Sequence, residues 1–400
     1  MVSRVPQLIG FVLLCSVLFV IPFSPATVAG HSYSNIWPTQ EWTTATPDSQ
    51  GINGTRLQEM ETAISSRIWR NDIISLLIVR NGYLVYENYF GNPDRVNIAN
   101  EIHSCTKSVT SILVGIALAQ GLISSVDDYV LDYFPDRTFD NMDERKEAIT
   151  IRHLLTMTSG LPWDESSYPW GHPLNDYSAI VNSSDWVQWM LNRPMEYAPG
   201  EVWTYNTGGA HVLSAIVSEA AGINTTVFAN EFLFTPVGIT WFVWPGDSNG
   251  HAMGGSDLYL IPRFMAKIGY LMLRGGQWES QQVIPTSWVL ESSANHHNFI
   301  PNSPNSDGYG YLWWTYPTLG AYCARGYLGQ YIWIIPNYDL VVVITGNNNA
   351  IEDHWIVENH ILPATTPVPA TNPVIVLVPI GVGVSIVVIL SIVYWKRRHH

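Results

Sequence analysis

The chain has 400 residues, 47% of them hydrophobic and 13% charged, which is long enough for one large domain or two small ones. All 33 acidic residues fall within 31–372, against 15 of the 19 basic ones, so that stretch lacks the basic footprint that nucleic-acid binding needs, and no nucleic-acid partner is expected. Cys15 lies in an N-terminal apolar run, which leaves Cys105 and Cys323; two cysteines make no disulfide framework, no His pair near them has zinc-ligand spacing, and neither metal nor cofactor is expected.

In chain order, Leu8 to Val20 form an uncharged run behind Arg4, followed by the small residues Thr27 to Gly30; residues 1–30 read as a secretory signal. Residues 31–53 are polar and turn-rich, a surface lead-in. Leu57, Met60, Ile64 and Ile68 recur with a helical period, predicting a helix from Thr55 to about Ile68. Ile74–Arg80 and Tyr83–Glu87 flank Asn81-Gly82, the favoured two-residue turn of an antiparallel hairpin. Ser104 opens an apolar helix to Gln120, with Gly121 as its C-terminal cap. Residues 122–300 mix helices with Trp- and Pro-rich loops. Glycosylation acceptor triplets begin at Asn53, Asn182 and Asn224.

After Gly320 strands return. Gln330–Ile335 and Leu340–Thr345 flank Pro336–Asp339 as a second hairpin, and Trp355–Ile361 suits a closing helix. Residues 363–373 form a Pro/Thr stalk. Val374–Trp395 is 22 residues without a charge; as a helix it would span ~33 Å, enough for a bilayer core. The basic tail 396–400 then belongs on the cytoplasmic side, which makes this a single-pass cell-membrane protein with an extracytoplasmic domain, 31–362. Strands at both ends with helices between predict an α+β domain: one antiparallel sheet completed by distant parts of the chain and flanked by helices, plus a mainly helical subdomain.

Three elements carry chemistry. In His103-Ser104-Cys105-Thr106-Lys107, serine and lysine are three apart and share a helix face, so the amine reaches the hydroxyl. A buried lysine amine with a lowered pKa can take the serine proton, and N–H groups at a helix start favour developing negative charge. The second element, Pro199 to Gly209, presents Tyr205 on a loop before an apolar helix, where it can shuttle a proton if nearby cations lower its pKa. The third, Ala324-Arg325-Gly326-Tyr327, enters the second hairpin; the N–H of Tyr327 could pair with that of Ser104 as an oxyanion hole.

In this order the three elements resemble the serine beta-lactamase and penicillin-binding superfamily over roughly residues 50–350. The resemblance is greatest to its esterase and amidase branch, which includes the 6-aminohexanoate-dimer hydrolases. Ile151–Leu161, Gly254–Leu258 and Tyr309–Trp314 add to it. The resemblance implies a beta-lactamase/transpeptidase-like fold and a small ester or amide substrate. It implies Ser104 as acylated nucleophile, Lys107 and Tyr205 as acid/base, and Thr207, Ala324, Arg325 and Gly326 as substrate-binding positions. Two positions depart from the pattern. Thr207 stands where many members have Asn, and Ala324 where the third motif usually starts with a cation that holds a substrate carboxylate. Arg325 is one residue along and, on a strand, should face the other way. These departures argue against penicillins and D-Ala-D-Ala peptides. They also leave a rival, a catalytically dead, membrane-held binding module of the same fold.

Overall fold

The central sheet is antiparallel throughout and assembled from sequence-distant segments: β1 (Ile73–Arg80), β2 (Tyr83–Tyr89), β3 (Gly308–Tyr309), β4 (Trp314–Tyr316), β5 (Ala321–Gly326), β6 (Gln330–Ile335) and β7 (Leu340–Gly346). Their spatial order is β2-β1-β7-β6-β5-β4-β3, so β1 pairs directly with β7. The computed structural model describes residues 36–298 and 308–368. The expected signal 1–30, the expected membrane span 374–395 and the basic tail 396–400 therefore lie outside the described residues. Among those described, no single helix is long and apolar enough to cross a membrane.

Local chemistry explains the hairpins. Asn81 and Gly82 both take left-handed backbone angles, φ 52° and 83°, as a tight turn between right-twisting strands requires. Strand alternation then sorts side chains into two cores. Leu77, Val79, Ala324, Ile332, Ile334, Val341 and Val343 face the larger one. Leu76, Ile78, Cys323, Trp333, Val342 and Ile344 face the smaller one.

The larger core holds α2 (Cys105–Ala119), α3 (Thr207–Ala221) and α4 (Pro262–Leu273). Both α2 and α3 are apolar nearly all round, the composition of a helix enclosed on every side. The smaller core is covered by α1 (Gly54–Ser65) and by a helical run that begins as α5 (Asp353–Ile356) and continues to Ala364.

Three expectations shift. The first helix ends at Ser65, and Ile68, which continues its period, is 92% exposed in the turn that follows. The lead-in is partly packed: Trp42 and Ile52 are buried, and Trp42 Nε1 donates to the carbonyl of Arg263. The start of the expected stalk is folded onto the domain. Thr365 bridges to Ile52, and Arg80 donates to the carbonyl of Thr366.

Candidate active site

Ser104 sits at the N-cap of α2, behind His103, whose φ of 46° is unusual for a residue with a side chain. This sharp entry turns the chain from the short strand Asn100–Glu101, paired with Tyr259–Leu260, into the helix. Lys107, one turn on, is almost fully buried, and its Nζ donates in three directions. It lies 2.9 Å from Ser104 Oγ, 2.8 Å from Thr207 Oγ1 and 2.8 Å from the carbonyl of Gly255. Gly255 allows the last contact: a Cβ there would lie 2.5 Å from Thr207 Cγ2 and 2.8 Å from its carbonyl oxygen.

Burial lowers the Lys107 pKa from 10.5 to about 8, although the carboxylates of Glu165 and Asp257 pull it upward. An ammonium fills all three contacts as donor. A neutral amine keeps two and offers its lone pair to the Ser104 hydroxyl. The Tyr205 side chain adjoins that of Ser104, and the face of its ring lies 4.6 Å from Lys107 Nζ. Its phenol is pushed well above its ordinary value by burial and by Glu165, so it holds its proton at neutral pH. The expected lowering by nearby cations is therefore reversed, because the low-dielectric setting and the acidic neighbour outweigh them.

The end of β5 meets this corner backbone to backbone. A Cβ at Gly326 would lie 2.3 Å from the carbonyl of Ile102 and 3.2 Å from the amide nitrogen of Ser104. Tyr327 and Ser104 line the same cavity of about 670 Å³, together with Thr207 and Ser256. Trp170 and Tyr177 stack along it at 5.6 Å, and Trp170 meets Tyr327 at 5.0 Å. Among its described lining residues, Glu165 and His103 carry the ionisable groups other than tyrosines, and there is no lysine or arginine.

The structure thus brings Ser104, Lys107, Tyr205 and Thr207 together, with Gly326 alongside. It does not bring Arg325 in, which corrects that residue's place among the substrate-binding positions. Its guanidinium is on the opposite face of the sheet, 3.2 Å from Asp353 and 3.1 Å from the Tyr316 hydroxyl. Ala324 is buried in the larger core. Cys105 and Cys323 are both free and buried, one in each core, with the sheet between them.

Sequence reasoning missed Glu165 and Trp170, which lie on a loop without periodicity. The Gly255 carbonyl belongs to a stretch recognisable only as a motif, because a backbone ligand has no residue-type signature.

Comparison with known proteins agrees with this geometry. The Beta-lactamase family profile matches residues 73–360. An uncharacterized protein of Alkalihalophilus pseudofirmus is 26% identical over 314 residues, 68% of this chain and 83% of its own. Esterase EstB of Burkholderia gladioli is 25% identical over 180 residues, 41% of this chain and 44% of its own, so the match spans less than half of that enzyme. Among solved structures, a Bacillus anthracis protein provisionally described as a 6-aminohexanoate-dimer hydrolase superposes with a TM-score of 0.64 at 20% identity, over 82% of this chain and 88% of its own. With the profile covering most of the folded chain, this protein belongs to the beta-lactamase family and is a serine hydrolase of that fold.

Proposed function

We propose that the chain hydrolyses a small uncharged ester or amide through an acyl-enzyme on Ser104. The observation that carries this is the Lys107 amine, buried and 2.9 Å from the Ser104 hydroxyl. As Oγ attacks the substrate carbonyl, neutral Lys107 takes the hydroxyl proton. The carbonyl oxygen becomes an oxyanion, held by the N–H groups of Ser104 and Tyr327. The carbonyl–heteroatom bond then breaks. Tyr205 gives its phenol proton to the leaving group and recovers one from the Lys107 ammonium. Water attacks the acyl-enzyme by the same transfers in reverse and frees Ser104.

The substrate class follows from charge and shape. Apart from Lys107 beneath Ser104, whose donors are already taken, the described lining offers aromatic faces and no lysine or arginine, so a substrate carboxylate would be desolvated without a partner. Ala324 and the sequestered Arg325 leave the usual carboxylate position empty of charge. Short-chain p-nitrophenyl esters should therefore turn over readily and penicillin G poorly. Efficient penicillin hydrolysis would overturn this assignment and favour a beta-lactamase or D-Ala-D-Ala peptidase.

We also propose that the domain faces the exterior of a cell membrane. Support comes from the uncharged 374–395 stretch, and from Asn53, Asn182 and Asn224, which are all exposed. Protease added outside intact cells should release the domain. Protection of the domain while the tail is cut would reverse the orientation.

A further inference from the structure

Behind the catalytic corner lies a second cluster that the hydrolysis does not use. His211 is one turn beyond Thr207 on α3, and Asp247 and His251 belong to the loop that leads to Gly255. All three side chains are 2% exposed or less. Asp247 Oδ2 lies 3.4 Å from His211 Nε2 and 2.9 Å from His251 Nδ1. Its other oxygen is already occupied, accepting from the N–H groups of Asn249 and His251.

The outer nitrogens point to one tautomer for each neutral ring. His211 Nδ1 faces the carbonyl of Ala252 at 3.2 Å, and His251 Nε2 faces the Glu219 carboxylate at 3.2 Å. Both neighbours are acceptors, so both outer nitrogens carry hydrogen. A neutral ring in each case then turns a bare lone pair toward Asp247 Oδ2. His211 Nε2 is fully buried and has no hydrogen-bond partner. Three electron-rich atoms thus converge within 4.8 Å of one another in a dry interior, where they repel unless positive charge sits among them.

A proton on His251, which lies between the carboxylates of Asp247 and Glu219, would supply part of that charge but leave His211 Nε2 without a partner. A single divalent ion would supply it to all three ligand atoms at once. Tetrahedral zinc with bonds of ~2.0–2.1 Å needs ligand atoms about 3.3 Å apart, near the two His–Asp separations, while the two imidazole nitrogens lie within 4.8 Å of each other. An imidazole with its second N–H held by a carbonyl or carboxylate is the usual outer shell of a metal-bound histidine. Two imidazoles and a carboxylate are a ligand set that zinc takes with its fourth position open.

We propose that His211, Asp247 and His251 form a three-ligand zinc site that ties α3 to the loop 247–255. The consequence reaches the catalytic corner, because those two segments supply Thr207 Oγ1 and the Gly255 carbonyl to Lys107. No sequence pattern announces the cluster, since residues 211 and 247 are far apart along the chain.

The test is metal analysis of the full-length chain purified without chelator. Elemental analysis should find about one zinc per chain. Chelation should lower the melting temperature, and zinc should restore it. Cobalt added to the chelated protein should give visible ligand-field bands, and these should be absent in Asp247→Asn and His251→Gln. The wild-type measurements stand even if a variant fails to fold. If the wild type holds far less than one zinc after dialysis against excess zinc, and cobalt gives no bands, the cluster is a proton-shared network and the proposal falls.

Discussion

Replacing Lys107 with methionine separates its catalytic role from its energetic one. A pKa lowered from 10.5 to about 8 means the fold disfavours the charged form by about 3 kcal/mol. At pH 7 it also makes the neutral amine roughly 300-fold more abundant than in an unperturbed lysine. Wild-type kcat/KM on a p-nitrophenyl ester should therefore rise nearly tenfold per pH unit up to about 8 and then level. Lys107→Met should lose about 10²-fold or more and lose that limb.

The stability effect has a definite sign. Between pH 8 and 10.5 the unfolded chain binds one more proton at Lys107 than the folded chain, so wild-type stability rises with pH across that window. Below pH 8 the full penalty remains. The variant escapes the penalty but strips a donor from Ser104 Oγ, Thr207 Oγ1 and the Gly255 carbonyl, at about 0.5–1.5 kcal/mol each. The two effects roughly cancel near pH 7. Wild type should then gain about 2 kcal/mol on the variant between pH 7 and pH 9.5, measured by urea unfolding of both proteins. A flat rate profile from pH 6 to 8, or a stability difference independent of pH, would refute a buried amine poised near 8.

Other outcomes follow from the same contacts. Tyr205→Phe should cut turnover while the protein stays folded, and wild-type activity should show no alkaline loss near pH 10, because burial raises that phenol above its ordinary value. Asp353→Ala should destabilise the fold by about 1–3 kcal/mol by taking the carboxylate from half-buried Arg325 and the acceptor from Trp333 Nε1, and acylation per folded molecule should hardly change. Alkylating reagents should reach Cys105 and Cys323 only after denaturation, and intact mass should show no link between them. Chemical denaturation, active-site titration and thiol mass shifts read these out.

What is legible in the sequence is what local chemistry encodes. Asn81-Gly82 marks its hairpin, and Ser104 and Lys107 reveal themselves by spacing on one helix face. Strand alternation places Arg325 on the wrong face for substrate, and the Asp353 and Tyr316 contacts show where its charge goes instead. Pairing of β1 with β7 is suggested only in outline, since it joins opposite ends of the folded chain and no local pattern sets its register. Ile68 misleads because the turn after Ser65 happens to continue the apolar period. The aromatic wall at Trp170 and the cluster of His211, Asp247 and His251 depend on long-range packing, which spacing does not report.

The most direct test of the central claim is covalent. The full-length protein should be incubated with a fluorophosphonate probe, digested, and the modified peptide sequenced by mass spectrometry beside a Ser104→Ala control. Labelling on Ser104, abolished in the control along with esterase activity, is the predicted result. A label on another residue, or equal labelling and turnover in Ser104→Ala, would contradict the assignment of Ser104 as the nucleophile.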